Sequence, residues 1–185
     1  MTDNSALITL LAERSTKRGK FTLASGRESD FYIDARLTTM SPEGLSTIGP
    51  LGLSALRTSG WGVNAIGGLT LGADPISYAI SYASALSDNP LRAFTVRKEA
   101  KDHGTGRLVE GPFQAGDRVA IIEDVITTGG SALRAIDTVR RANGIVMGVL
   151  ALVDREEGGS DAIQESGVPV LSLVKASQII ETLRR

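Results

Sequence analysis

The 185-residue sequence has no cysteine and a single histidine, His103. The first absence excludes disulfides and thiolate metal centres; the second excludes a zinc site built on several histidines. An excess of charge of one sign is missing too: 20 lysines and arginines face 21 aspartates and glutamates, for a net charge of −1. Wholesale nucleic-acid binding normally brings a marked basic excess, so any anion site has to be local. No apolar run approaches the roughly 20 residues that span a bilayer. The segment Met1-Thr2-Asp3-Asn4-Ser5 has neither the basic nor the apolar region of a signal peptide. Together these absences predict a cytoplasmic protein with no membrane or nucleic-acid partner.

What is present describes a folded chain. Hydrophobic residues at 42% and charged residues at 22% rule out the composition of a disordered segment, and the length suits one domain, 1–185. Glycine is abundant, at 21 residues, and several glycines follow apolar runs, where chains turn and backbones approach ligands.

Asn4 or Ser5 can cap a first helix to about Arg14, with Leu7, Leu10 and Leu11 on one face. Phe21-Thr22-Leu23 and Phe31-Tyr32-Ile33 read as two short strands joined by a turn at Ser25-Gly26-Arg27. Pro42 suits the first turn of a helix running to about Ser59. An alternation then begins. Val63 to Ile66 is a strand ending in Gly67-Gly68, followed by a helix from about Asp74 to Leu86. Leu91–Val96 and Arg118–Val125 are further strands, and a helix runs from about Gly130 to Asn143. Ile145–Val153 and Val168–Val174 are strands, with a closing helix from about Ser177. Apolar strands alternating with helices predict a parallel sheet covered on both faces. One stretch, Glu99 to Gly116, lacks an apolar period. It is expected to be a long functional loop, with Arg97, Lys98, Lys101, His103 and Arg107 in or beside its first half.

The segment richest in chemistry is Val119-Ala120-Ile121-Ile122-Glu123-Asp124-Val125-Ile126-Thr127-Thr128-Gly129-Gly130-Ser131. It is a buried strand with two carboxylates at its C-terminal end, then a hydroxyl- and glycine-rich loop entering a helix. Open parallel sheets bind ligands beyond the carboxyl ends of their strands. A helix start offers free N–H groups and the positive end of a dipole to a phosphate. Gly129 and Gly130 let the backbone close around that phosphate, and Thr127, Thr128 and Ser131 add hydroxyl donors. Glu123 and Asp124 would repel it, so vicinal ribose hydroxyls are their natural partners. No Gly-Lys-[Ser/Thr] follows, so this is not a P-loop, and the Gly-x-Gly-x-x-Gly dinucleotide fingerprint is absent.

Ile121 to Ser131 resembles the phosphoribosyl pyrophosphate signature of type I phosphoribosyltransferases. Arg97-Lys98-Glu99-Ala100-Lys101-Asp102-His103-Gly104 resembles the mobile loop of the orotate-specific branch of that family. Phe21-Thr22-Leu23-Ala24-Ser25-Gly26-Arg27 and Val153-Asp154-Arg155 match two further segments. The resemblance runs in order from about Phe21 to Arg155. It implies an α/β fold: a Rossmann-like parallel sheet flanked by helices, with a small N-terminal hood (about 1–40) and a long mobile catalytic loop (97–116). It implies transfer of a 5-phosphoribosyl group to N1 of orotate, with release of pyrophosphate.

The resemblance also implies roles. Lys101 and His103 would be catalytic and reach the partner subunit's site in a homodimer with shared active sites. Arg97, Lys98, Lys101, His103 and the run from Glu123 through Val125 and Ile126 to Ser131 would hold phosphoribosyl pyrophosphate. Thr127 and Arg155 would contact orotate, with Tyr32 and Ile33 flanking it. Without the resemblance, Arg155 would be a surface arginine pairing Glu156 or Glu157. Mg2+ would be carried by the substrate, with no direct protein ligand and Asp124 acting through water. The Gly67–Asp74 loop is a second candidate anion loop. Many relatives carry Tyr-Lys where this chain has Leu71-Gly72, and Lys where it has Ala24. Two alternatives stay open from the residues: a purine or uracil phosphoribosyltransferase, and a non-catalytic nucleotide-sensing regulator on the same fold.

Overall fold

The computed structural model describes residues 3–22, 28–99 and 108–184. The Ser25-Gly26-Arg27 turn, Lys101 and His103 lie outside the described residues.

A sheet of six strands runs in the order β5-β4-β3-β6-β7-β8. Its strands are β3 (Ala65–Leu69), β4 (Arg92–Val96), β5 (Val109–Glu110), β6 (Arg118–Ile126), β7 (Ile145–Asp154) and β8 (Val170–Lys175). All neighbours are parallel except β5, which runs antiparallel to β4. Alternate residues of β6 explain the two-sided burial. Ala120 and Ile122 join Leu7, Ile48, Ile76 and Ile179 in one core. Val119 and Ile121 join Phe94, Ile136 and Ile163 in the other. The first core is covered by α1 (Ser5–Leu10), α3 (Pro42–Thr58), α4 (Ala73–Ser84) and α7 (Ala176–Arg184); α5 (Gly130–Arg141) and α6 (Gly159–Glu165) cover the second. A parallel sheet buried on both faces needs apolar side chains on both, which is why these strands read as continuous apolar runs.

Local signals placed most boundaries. The expected first helix is α-helical for Ser5–Leu10 and closes in a π-helical turn, Leu11–Ser15. The Ser41 hydroxyl accepts from Gly44 N at 3.0 Å and caps α3, with Pro42 in its first turn. The N-terminal strands β1 (Thr16–Thr22) and β2 (Glu28–Ile33) form a separate antiparallel ribbon, and α2 (Arg36–Thr39) follows it directly.

Three expectations change. Gly67 and Gly68 lie inside β3 rather than ending a strand. A Cβ on Gly67 would lie 2.2 Å from Phe94 O, and one on Gly68 would lie 2.0 Å from Ile122 O. They are glycines because the neighbouring strands press on them. The expected loop from Glu99 to Gly116 contains β5, and Phe113 packs edge-on against Phe94 at 5.4 Å. Its C-terminal part is therefore docked on the sheet. Finally, α6 occupies a stretch where the sequence reading placed no element. Among the described residues, no helix is long and apolar enough to cross a membrane.

Candidate active site

The chain passes from β3 outward to β4 on one side and returns to β6 on the other. Connections diverge at such a point, leaving a crevice beyond the strand ends. A cleft of about 540 Å3 opens there. One wall comes from the end of β6 and the loop into α5: Glu123, Asp124, Val125, Thr127, Thr128 and Ser131. The opposite wall comes from Thr22, Tyr32–Arg36 and the Leu69–Gly72 turn. Lys98 and Arg155 complete the lining.

Gly129 starts α5 at φ +81°, and no side chain caps the helix. Its first N–H groups are thus left for a ligand or water. The glycine is also imposed by packing, since a Cβ would lie 2.7 Å from Gly159 O at the start of α6.

Glu123 is 8% exposed, and its Oε2 has no hydrogen-bond partner among the described residues. Burial, reinforced by the adjacent Asp124 carboxylate, pushes its pKa from 4.5 up to about 8. Burial also raises Asp124, although Asp124 Oδ1 accepts from Val125 N at 2.9 Å. Two adjacent acids thus share a dry strand end, where hydroxyl donors or a cation would relieve them.

Arg155 is buried at 6% exposure, between the sheet and the ribbon. Its Nε donates to Glu157 Oε1 at 2.7 Å and its Nη2 to Ser29 Oγ at 3.2 Å. Its guanidinium carbon stands 4.6 Å from the Phe31 ring centroid. The pairing with Glu157 that an ordinary surface arginine would make is present, but the site is not on the surface.

No protein-family model matches the chain. The chain is 44% identical over 183 residues to the orotate phosphoribosyltransferase of Aquifex aeolicus, covering 97% of this chain and 99% of that one. It is 47% identical over 173 residues to that of Sorangium cellulosum, covering 92% and 90%. Among solved structures, Mycobacterium tuberculosis orotate phosphoribosyltransferase in complex with 5-phospho-α-D-ribosyl 1-diphosphate (PRPP) matches with a TM-score of 0.76. The identity is 37%, over 94% of this chain and 96% of that one. This chain belongs to the orotate phosphoribosyltransferase family.

Within this family member the predicted residues divide. Lys98, Glu123, Asp124, Val125, Thr127, Thr128, Ser131 and Arg155 line one cleft. Four others do not line it. Ile126 is 1% exposed in the second core, and its carbonyl accepts from Arg155 N at 3.0 Å. Gly129 and Gly130 act through backbone shape. Arg97 stands on the loop stem, where its N donates to Leu108 O at 2.8 Å and its Nη1 lies 3.7 Å from Glu110 Oε1. It does not reach the cleft of its own chain. Ile33 is 6% exposed, lining the cleft from the core, whereas Tyr32 is 40% exposed at the mouth.

The Leu71-Gly72 departure has a steric correlate. A Cβ on Gly72 would lie 2.3 Å from Asp124 Oδ2, so the turn packs directly on the carboxylate. The same turn is braced by Asp74, which accepts from Thr70 Oγ1 at 2.7 Å and from Thr95 Oγ1 at 2.8 Å. Sequence reasoning missed Asp34 and Arg36. Arg36 grips Asp34 with two bonds, Nε to Oδ1 at 2.8 Å and Nη2 to Oδ2 at 3.0 Å. This grip holds the Asp34 pKa below its ordinary value. The signal was an acid–x–base triplet directly after a strand.

Proposed function

We propose that this chain transfers the 5-phosphoribosyl group of PRPP to N1 of orotate, forming orotidine 5'-monophosphate and pyrophosphate. The observation that carries the reading is the meeting of an uncapped helix start, a buried acid pair and a buried arginine in one cleft. The 5'-phosphate takes the N–H groups of α5 with Thr128 and Ser131. The ribose hydroxyls donate to Glu123 and Asp124. Arg155, a planar fork with a pre-set orientation, receives the orotate carboxylate, and Thr127 contacts the same base.

In the reaction, N1 of orotate gives up its proton, to water or to the departing diphosphate, and bonds to the anomeric carbon as the bond from that carbon to the diphosphate oxygen breaks. The electron pair leaves with pyrophosphate. Charge develops on that leaving group, and cations aimed at it are among the larger catalytic contributions. Lys101 and His103 supply them from the partner subunit's loop in a homodimer. The buried, unpartnered Oε2 of Glu123 beside Asp124 is a hard oxygen set of the kind Mg2+ accepts. Carried by the substrate phosphates, such an ion would offset their charge, and Asp124 would hold it through water. The protein works in the cytoplasm.

The test is which free base releases pyrophosphate from PRPP. Release with orotate, and not with uracil, adenine or hypoxanthine, is expected. Release driven by a purine, or by no base, would overturn the reading.

A further inference from the structure

We propose that Arg36 binds the diphosphate of the activated sugar from the ribbon side of the cleft. This rests on the reaction just proposed and assigns a residue at its leaving-group end.

With the 5'-phosphate at α5, the ribose over Glu123 and Asp124 and the base at Arg155, one stretch of wall is left. It is Thr22, Asp34–Arg36, the Leu69–Gly72 turn and Lys98, and its cations are Arg36 and Lys98. The turn itself, Leu69-Thr70-Leu71-Gly72, carries no charge. Three carboxylates, Asp34, Glu123 and Asp124, line the same cleft. A multiply charged diphosphate could not settle beside them without cations on that wall. Arg36 has the geometry to serve. Its side chain lines the cleft and is 50% exposed, so the charge is open to a ligand rather than shut in the core. Asp34 holds it by Nε and Nη2, which leaves three of the five guanidinium N–H groups outside that pair. A clamped guanidinium loses little freedom on binding and presents a fixed fork to phosphate oxygens. Pairing with Asp34 chiefly raises the Arg36 pKa, with a smaller contribution from Asp124. Arg155 differs in being buried, at 6% exposure, and is already assigned to the base.

The experiment compares Arg36→Gln and Arg36→Lys with the parent. Direct binding of magnesium pyrophosphate and of orotidine 5'-monophosphate is measured by calorimetry, alongside steady-state kinetics. The nucleotide shares the sugar, base and 5'-phosphate contacts but has no diphosphate, so its binding also shows that the variant is folded. Arg36→Gln is expected to weaken pyrophosphate about tenfold to a hundredfold, the worth of a charge-assisted contact. The Michaelis constant for PRPP should rise by a similar factor. Nucleotide binding and the Michaelis constant for orotate should stay within about twofold. Arg36→Lys should recover part of the loss. Unchanged pyrophosphate binding, or equal weakening of pyrophosphate and nucleotide, would overturn the assignment. Weakened pyrophosphate binding in a protein whose parent releases none with orotate would sink the reaction and leave Arg36 as a diphosphate ligand.

Discussion

The two walls of the cleft are built on different plans. The β6–α5 wall is one continuous run, from the buried strand through Glu123 and Asp124 to the helix start at Gly130. The opposite wall is assembled from three separate places: Thr22 in β1, Tyr32–Arg36 at the end of β2, and the turn after β3. Their acids behave in opposite ways. Glu123 and Asp124 are raised because burial removes water, and the pull of Arg36 on Asp124 does not overcome it. Asp34 is lowered because Arg36 grips it. The same residue class is thus left wanting a ligand on one wall and satisfied on the other. The continuous wall is poised to accept donors, and the assembled wall to present them.

The largest effect should come from breaking the continuous wall. Asp124→Asn keeps the size and the apolar strand but loses the charge, and kcat/KM should fall about a hundredfold. Thermal unfolding should stay within a few degrees of the parent. Gly72→Ala asks whether the walls are independent. Its Cβ would lie 2.3 Å from Asp124 Oδ2, so the carboxylate or the turn must move. We expect a kcat/KM loss of about tenfold or more from a substitution on the wall that lacks the acid pair. Full activity in Gly72→Ala would show that the turn yields without disturbing the acid pair, so the walls are independent.

That difference in plan also decided what was legible in the sequence. The β6–α5 wall could be read because its apolar strand, acids and hydroxyl loop are adjacent in the chain. Arg155 could be placed at a strand end, but not its burial, which depends on Ser29 and Phe31 of a distant ribbon. The grip of Arg36 on Asp34 is local, two residues apart; what the sequence left unread is its place in the cleft, because nothing there sets the ribbon beside the turn after β3. Gly67 and Gly68 read as the end of a strand and the start of a loop, since their reason for being glycine lies in β4 and β6. The short α6, Gly159–Glu165, stayed hidden because it begins directly after Glu156-Glu157-Gly158, where charge and glycine masked its start. For Arg155, the two glycines and the placing of Arg36, long-range contact supplied what local pattern lacked.

Next in size is Arg155→Ala, at the junction of the walls. The Michaelis constant for orotate should rise tenfold to a hundredfold, while that for PRPP changes far less. Because the arginine is buried against Glu157, stability should drop as well, so both constants are to be measured well below the melting temperature. Equal rises in both would place Arg155 away from the base. Smaller still is the gain from mixing subunits. If Lys101 serves the partner's site, a Lys101→Ala protein and an Asp124→Asn protein should complement each other. Random pairing makes about half the dimers hybrid, each with one intact site, so about a quarter of parental activity should return. With subunit exchange verified, no recovery would mean that Lys101 serves its own chain or nothing.

The smallest effect isolates the acid pair's burial from its chemistry. The Glu123 pKa is raised in the folded protein to about 8 from 4.5. Between those two values the unfolded chain has released a proton that the folded chain still holds, so stability falls as pH rises through that window and levels off above it. Glu123→Gln has no proton to lose. At pH 4.5 and below, the two proteins should differ only by the fixed cost of an amide in that pocket. As pH climbs toward 8, the variant should gain on the parent. In a chain of this length each kcal/mol moves the melting temperature by about 2–4 °C, so melting curves of the ligand-free proteins at several pH values suffice. The informative quantity is the change of the difference with pH, because a packing defect would offset all points equally. A difference that stays flat from pH 5 to 9 would mean that Glu123 is ionised in the folded state. The contrast between an unsatisfied wall and a satisfied one would then be lost.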